Sequence, residues 1–170
     1  MKLIFATGNA NKMREIRQIF QDLDMEILSM KEAGIDVEIV EDGKTFEENA
    51  LIKSRAIHEA CGELVLSDDS GLEIDYLGGE PGIYSARYMG EDTSNDIKNA
   101  ELLRRMEGGP EEERTARFVC ACAAVLPDGR ECVVRGVMEG HVAHAVAGEN
   151  GFGYDPIFFL PEYGKTSAEL

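Results

Sequence analysis

"KLIFATGNANKMREIRQIFQDLDMEILSM", residues 2–30, sets the fold class. Its opening, "KLIFAT" (2–7), is a continuous apolar run, the pattern of a strand covered on both faces. "GNANK" is polar and reads as a loop. "MREIRQIFQDL" (13–23) predicts a helix, with Ile16, Ile19 and Phe20 on one stripe. "MEILSM" (25–30) predicts the next strand. A strand, loop, helix and strand in that order imply an α/β fold.

Reading onward, "TFEE" pairs Thr45 with Glu48 as a capping box that opens a helix running to about residue 60. Asn49 and Lys53 are four apart on it and share a face. "ELVLS" (63–67) predicts a buried strand that ends at Asp68-Asp69, and "LEIDYL" (72–77) predicts another. Residues 92–108 predict a helix with Ile97, Leu102 and Leu103 among its apolar positions. Residues 114–142 predict two long antiparallel strands around "PDG", with Asp128-Gly129 as a two-residue loop. No repeat, low-complexity tract or linker interrupts the chain, so one domain over 1–170 with a mixed central sheet and flanking helices is expected.

With 33 acidic against 17 basic side chains, the formal net charge is −16. No run of Lys and Arg offers a basic face, which argues against nucleic acid as a partner. No apolar stretch is long enough to span a bilayer. The N-terminal apolar run is short and reads as a buried strand rather than a signal peptide, giving a cytoplasmic expectation. Four cysteines, at 61, 120, 122 and 132, lack zinc-knuckle spacing and read as buried free thiols. On a strand, Cys120 and Cys122 share one face.

Three stretches have the residue types for chemistry. "TGNANK" (7–12) lies between a buried strand and a helix start, where free backbone N–H groups and the positive end of the helix dipole meet. Gly8 lets the backbone approach a ligand, and Lys12 adds a positive charge. That is one way to cradle phosphate, although an ordinary helix cap by Asn9 or Asn11 would leave the same sequence. The acidic set Glu41, Asp42, Asp68 and Asp69 offers hard oxygens suited to Mg²⁺. Consecutive carboxylates at a strand end can diverge, one to a metal and one to a lysine or water. "EDG" (41–43) also suits a plain surface turn. "GFGYDP" (151–156) offers Phe152 or Tyr154 for stacking on a base, or an aromatic packing corner. Asp155 precedes a proline and is expected to be extended. The histidines at 58, 141 and 144 read as surface or packing residues.

In this order the stretches "TGNANK", "EDGKTFEENALIKSRA", "SDDSGLEIDYLGGEPGIYSARYMGE" and "NGFGYDPIFFLPEYGKTSAEL" resemble the inosine/xanthosine triphosphate pyrophosphatases, the Ham1-like or RdgB-like family. The resemblance covers nearly the whole chain. It implies a mixed α/β fold with a deep cleft, usually in a homodimer. It also implies Mg²⁺-dependent hydrolysis of ITP, dITP and XTP to the monophosphate and pyrophosphate, which clears them from the nucleotide pool. Carried over by motif, Thr7, Gly8, Asn9, Ala10, Asn11 and Lys12 correspond to the triphosphate loop. Asp69 corresponds to the general base and a metal ligand, with Asp68 and Lys53 as catalytic neighbours. Glu41 corresponds to the second acidic metal ligand. Ser70 corresponds to a substrate contact, and Phe152, Gly153, Tyr154 and Asp155 to the base pocket. A metal ion between the aspartates and the triphosphate would account for adjacent carboxylates. The family's usual Ser-His-Arg segment does not follow "YGKTSAEL", which leaves purine selectivity without that part of the pattern. A non-enzymatic nucleotide-binding module, or a domain that keeps only the fold, would share the remaining motifs.

Overall fold

The computed structural model describes residues 1–170. Its strands are β1 (Lys2–Phe5), β2 (Glu26–Ser29), β3 (Leu64–Ile74), β4 (Thr115–Val125), β5 (Glu131–Val142), β6 (Phe158–Leu160) and β7 (Lys165–Thr166). Its α-helices are α1 (Ala10–Ile19), α2 (Phe46–Cys61) and α3 (Asn95–Arg105). The sheet order is β2-β1-β3-β4-β5-β6-β7. β1 is parallel to β2 and β3, while β5, β6 and β7 pair antiparallel, so the sheet is mixed as expected. No helix is long and apolar enough to cross a membrane. Contacts divide the chain into two compact units, Met1–Asp69 with Cys120–Gly136, and Ser70–Val119 with Val137–Leu170.

In the first unit, β1 is buried on both faces, which is why its sequence is apolar without alternation. Leu3 and Phe5 pack with Met13 of α1. Ile4 and Ala6 pack with Ile57 of α2. α1 starts three residues before the expected position because Asn9 caps it, accepting from the N–H groups of Asn11 (2.9 Å) and Lys12 (3.3 Å). It also stops earlier. Ile19 points into solvent, so the buried stripe is carried by Met13 with Ile16, not by Ile19. α2 has half the expected box. Thr45 accepts from Glu48 N–H at 3.1 Å, but the Glu48 carboxylate turns to Lys44 N–H at 2.6 Å.

The largest departure from the sequence reading is β3. Two short strands were expected on either side of Asp68–Gly71, yet one strand runs unbroken from Leu64 to Ile74. Aspartate is a poor strand residue, but pairing and burial along the sheet outweigh propensity here. The β4–β5 turn also differs. Gly129 N–H donates to Leu126 C=O and Leu126 N–H donates to Arg130 C=O, both at 2.8 Å, which makes a three-residue loop with Gly129 at φ 82°. No disulfide forms. Cys61, Cys120 and Cys122 are half-buried, and Cys132 is exposed rather than buried.

In the second unit, Leu72 and Ile74 of β3, Leu102 of α3 and Met106 pack with Ile157, Phe158 and Tyr154. α3 is shorter than expected at both ends. Ile97 is exposed, while Lys98 and Asn99 are buried in its place. Lys98 donates to Ala86 C=O at 2.7 Å.

Candidate active site

The site in the first unit is built on strand alternation. Successive side chains on a strand point to opposite faces. Val65, Ser67 and Asp69 therefore face α2: Val65 packs with Ile57, and Ser67 donates to Ala50 C=O at 2.6 Å. Leu64, Leu66 and Asp68 face α1, where both leucines pack with the cluster around Met13. The two adjacent carboxylates are thus separated by the sheet itself, and each meets its own lysine. Lys12 Nζ lies 2.6 Å from Asp68 Oδ2. Lys53 Nζ lies 3.6 Å from Asp69 Oδ1. Consecutive carboxylates diverge here, as the sequence allows, with a lysine beside each.

Asp69 is the centre of a small polar network. Asn49 Nδ2 donates to its Oδ2 at 3.2 Å. Lys53 also donates to Glu41 Oε2 at 2.9 Å, so one ammonium lies against both Glu41 and Asp69. α2 makes this possible, since Asn49 and Lys53 lie one turn apart on the face the sequence predicts. Asn49 Oδ1 accepts from Gly43 N–H at 2.9 Å, which ties the "EDG" segment to the same network. Asp42 is exposed, whereas Glu41 is half-buried. Burial pushes the Asp69 carboxyl above its ordinary range, against the pull of Lys53 and Asn49, and the Glu41 charge adds to the rise. A carboxylate so placed is a better base than one in water.

The "TGNANK" stretch, Thr7–Lys12, belongs to the same unit. Thr7 Oγ1 accepts from Asn9 N–H at 3.1 Å, which tightens the turn into α1. Ala10, Asn11 and Lys12 form the first helical turn rather than a loop, and Asn9 occupies two of its free N–H groups. The plain cap weighed from the sequence is therefore present. Lys12 turns its ammonium inward onto buried Asp68. Beside the loop, Thr7 and Gly8 line an open groove of about 670 Å³ with Arg14, Arg17 and Lys31. Asp69, Lys53 and Glu41 do not line it, so the groove's size alone does not locate the chemistry.

No three His, Cys, Asp or Glu side chains gather into a cage. Glu41 and Asp69 still supply two hard carboxylates about one ammonium. That matches the way Mg²⁺ is commonly held, by one or two carboxylates with substrate phosphates completing the shell. The residues present fit Mg²⁺ in that substrate-completed mode.

The second unit holds Ser70, half-buried on β3, and the 151–156 loop. Tyr154 is buried in the core, and its hydroxyl donates to Ser85 C=O at 2.6 Å. It occupies the packing corner weighed from the sequence. Phe152 is half-buried, and its N–H donates to Asp155 Oδ2 at 2.9 Å. Asp155 starts a short 3₁₀ turn with Pro156 rather than lying extended, because that carboxylate closes the turn onto Phe152. Asn99 was not singled out from the sequence. Its Nδ2 donates to Gly153 C=O at 3.1 Å, which fixes the loop from α3. The available signal was a polar residue at a helix position one would expect to be buried.

A family model described as the Ham1 family matches residues 3–170. The chain belongs to the Ham1 family. A dITP/XTP pyrophosphatase of Clostridium perfringens is 47% identical to this Ham1-family chain, covering 99% of it and 86% of the relative. The dITP/XTP pyrophosphatase of Bacillus subtilis is 45% identical, covering 98% of the chain and 84% of the relative. Among solved structures, the Staphylococcus aureus Ham1 protein superposes with a TM-score of 0.88 at 41% identity, covering 100% of this chain and 86% of that one. A Coxiella burnetii HAM1 protein gives 0.89 at 35% identity, with 100% and 87% covered. The mixed α/β fold of the family is therefore the fold of this chain.

Proposed function

We infer that this chain is a nucleoside triphosphate pyrophosphatase that hydrolyses dITP, XTP and ITP to the monophosphate and pyrophosphate. The observation that carries the reading is buried Asp69, with Lys53 and Asn49 on its two oxygens and Glu41 sharing the lysine. The family relatives named dITP/XTP pyrophosphatase support the same substrate class.

In this reading Asp69 accepts one proton from a water molecule whose oxygen bonds to phosphorus. The α–β phosphoanhydride bond breaks and pyrophosphate leaves. Lys53 holds Asp69 in place and offsets negative charge on the phosphoryl oxygens, where preorganised donors act most strongly. Lys12, at the start of α1, approaches the phosphates from the other face of β3 and exchanges its Asp68 partner for them. Within Thr7–Asn11 the N–H groups of Thr7, Asn9 and Asn11 are spent on the turn itself, which leaves the backbone at Gly8 and Ala10 to meet the phosphates at the helix start. Glu41 and Asp69 would hold Mg²⁺, whose chemistry there is to neutralise and polarise phosphate oxygens. Ser70 and the Phe152–Asp155 segment contact the sugar and base in this scheme, with Phe152 as the ring left for stacking. The homodimer and the cytoplasmic setting implied by the resemblance belong to the same reading, and sedimentation of the purified chain tests the dimer.

The test is pyrophosphate release from ITP, XTP, dITP, ATP and GTP, with Mg²⁺ and with EDTA. Metal-dependent release favouring the first three is expected. Equal release from all five would overturn the base preference. No release, combined with thermal stabilisation by nucleotide, would replace the enzyme by a binding module, since only a ligand of the folded state raises stability.

A further inference from the structure

The hydrolysis scheme leaves the thiols unused. Cys120 and Cys122 are successive same-face residues of β4, both half-buried, with their sulfurs 3.7 Å apart. A tetrahedral cation about 2.3 Å from each of two thiolates holds those sulfurs about 3.8 Å apart. The pair therefore spans one edge of such a site without rearrangement. The sulfur–sulfur hydrogen bond pulls the Cys122 thiol down to about 7, against burial, and with burial pushes the Cys120 thiol up, so Cys122 ionises readily and the cation itself displaces the proton from Cys120. The charges of Lys12 and Asp68 act on both sulfurs, which places the pair beside the phosphate-loop lysine.

We propose that Cys120 and Cys122 form an open, two-thiolate site for a thiophilic divalent cation of the Zn²⁺ or Cd²⁺ class. No third His, Cys, Asp or Glu closes the shell, so water completes it. A structural zinc site would be closed by four protein ligands, and this one is not. Soft sulfur donors exclude Mg²⁺, which keeps the site chemically separate from Glu41 and Asp69. Binding replaces the S–H bond of Cys120, and that of Cys122 where it is still protonated, by sulfur–metal bonds and releases those protons to solvent.

The probe is Cd²⁺, added to the whole, metal-free chain kept reduced by a phosphine. The readout is sulfur-to-cadmium charge-transfer absorbance in the ultraviolet, which needs no enzymatic turnover and so stands apart from the pyrophosphatase reading. Saturation at one ion per chain is expected, unchanged in the Cys61→Ser/Cys132→Ser double variant. Affinity should fall about tenfold or more in Cys120→Ser and in Cys122→Ser. An affinity left unchanged by either single change, or absorbance that is lost with Cys61 or Cys132, overturns the site. Should the serine variants fail to fold, the unmodified chain is treated with a trivalent phenylarsenic oxide. Two arsenic–sulfur bonds then replace the arsenic–oxygen bond and one water leaves. A single adduct that blocks alkylation of both Cys120 and Cys122 is expected, and an adduct elsewhere counts against the proposal.

Discussion

Two loops of this chain each carry a motif glycine, and the glycines answer to different demands. At Gly151, in the second unit, an added Cβ would run into the Asp155 carboxylate, and φ is 74°. The protein's own packing requires that glycine. At Gly8, in the first unit, an added Cβ would meet nothing within 4 Å, and φ lies outside the left-handed region. Nothing inside the molecule requires Gly8. In the phosphate-binding role proposed for this loop, that open space lets a ligand approach the backbone. The charged residues follow the same division. Asp69, Lys53 and Glu41 in the first unit are held close together at a cost in burial, whereas Tyr154 and Asp155 in the second have settled into bonds of the fold itself.

The largest effect expected falls on the first unit. Asp69→Asn keeps the shape of the side chain and removes the base, so kcat for ITP should drop about 100- to 10 000-fold. Turnover unchanged in a clean preparation would falsify the mechanism. Gly151→Ala should instead act on stability, lowering it by about 2 kcal/mol through the strained φ and the collision with Asp155. Urea unfolding measures this, and an unshifted midpoint would mean that the loop gives way easily. Gly8→Ala should do the opposite, leaving the melting temperature within about 2 °C while raising KM about tenfold. If Gly8→Ala unfolds the chain, or leaves KM alone, the contrast between the loops collapses. Tyr154→Phe loses one buried hydrogen bond and should cost about 1 kcal/mol. A change in KM for ITP but not in stability would return Tyr154 to the base pocket.

Much of this was legible in the sequence, and the failures have a common cause. The apolar run of β1 and the i, i+4 spacing of Asn49 and Lys53 are local patterns, and both appear as read. The Asp68–Gly71 stretch was misread as a break because two aspartates and a glycine oppose strand propensity. What holds them in a strand is non-local: pairing within the sheet keeps the backbone extended, while Lys12 on one face, and Lys53 with Asn49 on the other, partner the buried carboxylates. The same holds for Asn99, whose role depends on where Gly153 arrives from far along the chain. Helix limits failed for a simpler reason. The cap at Asn9 was among the alternatives, but sequence could not choose between Asn9 and Asn11. The sulfur pair was placed on one face by alternation, yet its distance, and its nearness to Lys12 and Asp68, required the fold.

The smallest expected effect concerns the stability that Asp69 costs. Its carboxyl is pushed up chiefly by burial, so the folded chain holds that proton more tightly than the unfolded chain does. Between the unfolded value, about 3.9, and the raised folded value, the folded state carries more protons, and stability falls as pH rises. Above the folded value the cost is present in full. Below the unfolded value it vanishes. Asn at position 69 never ionises, so Asp69→Asn should melt a few degrees higher than the parent at neutral pH, in buffer free of nucleotide and divalent cations. The gain should shrink as pH falls through the raised value. Lys53 keeps Glu41 as its partner in the variant, and the repulsion between Glu41 and Asp69 is gone, so no new unpaired charge offsets the gain. Other carboxylates titrate in both proteins, and the difference between the two melting curves isolates position 69. A variant that melts lower at neutral pH would show that Lys53 and Asn49 outweigh burial. Asp69 would then be a well-satisfied structural carboxylate, and the first unit would resemble the second after all.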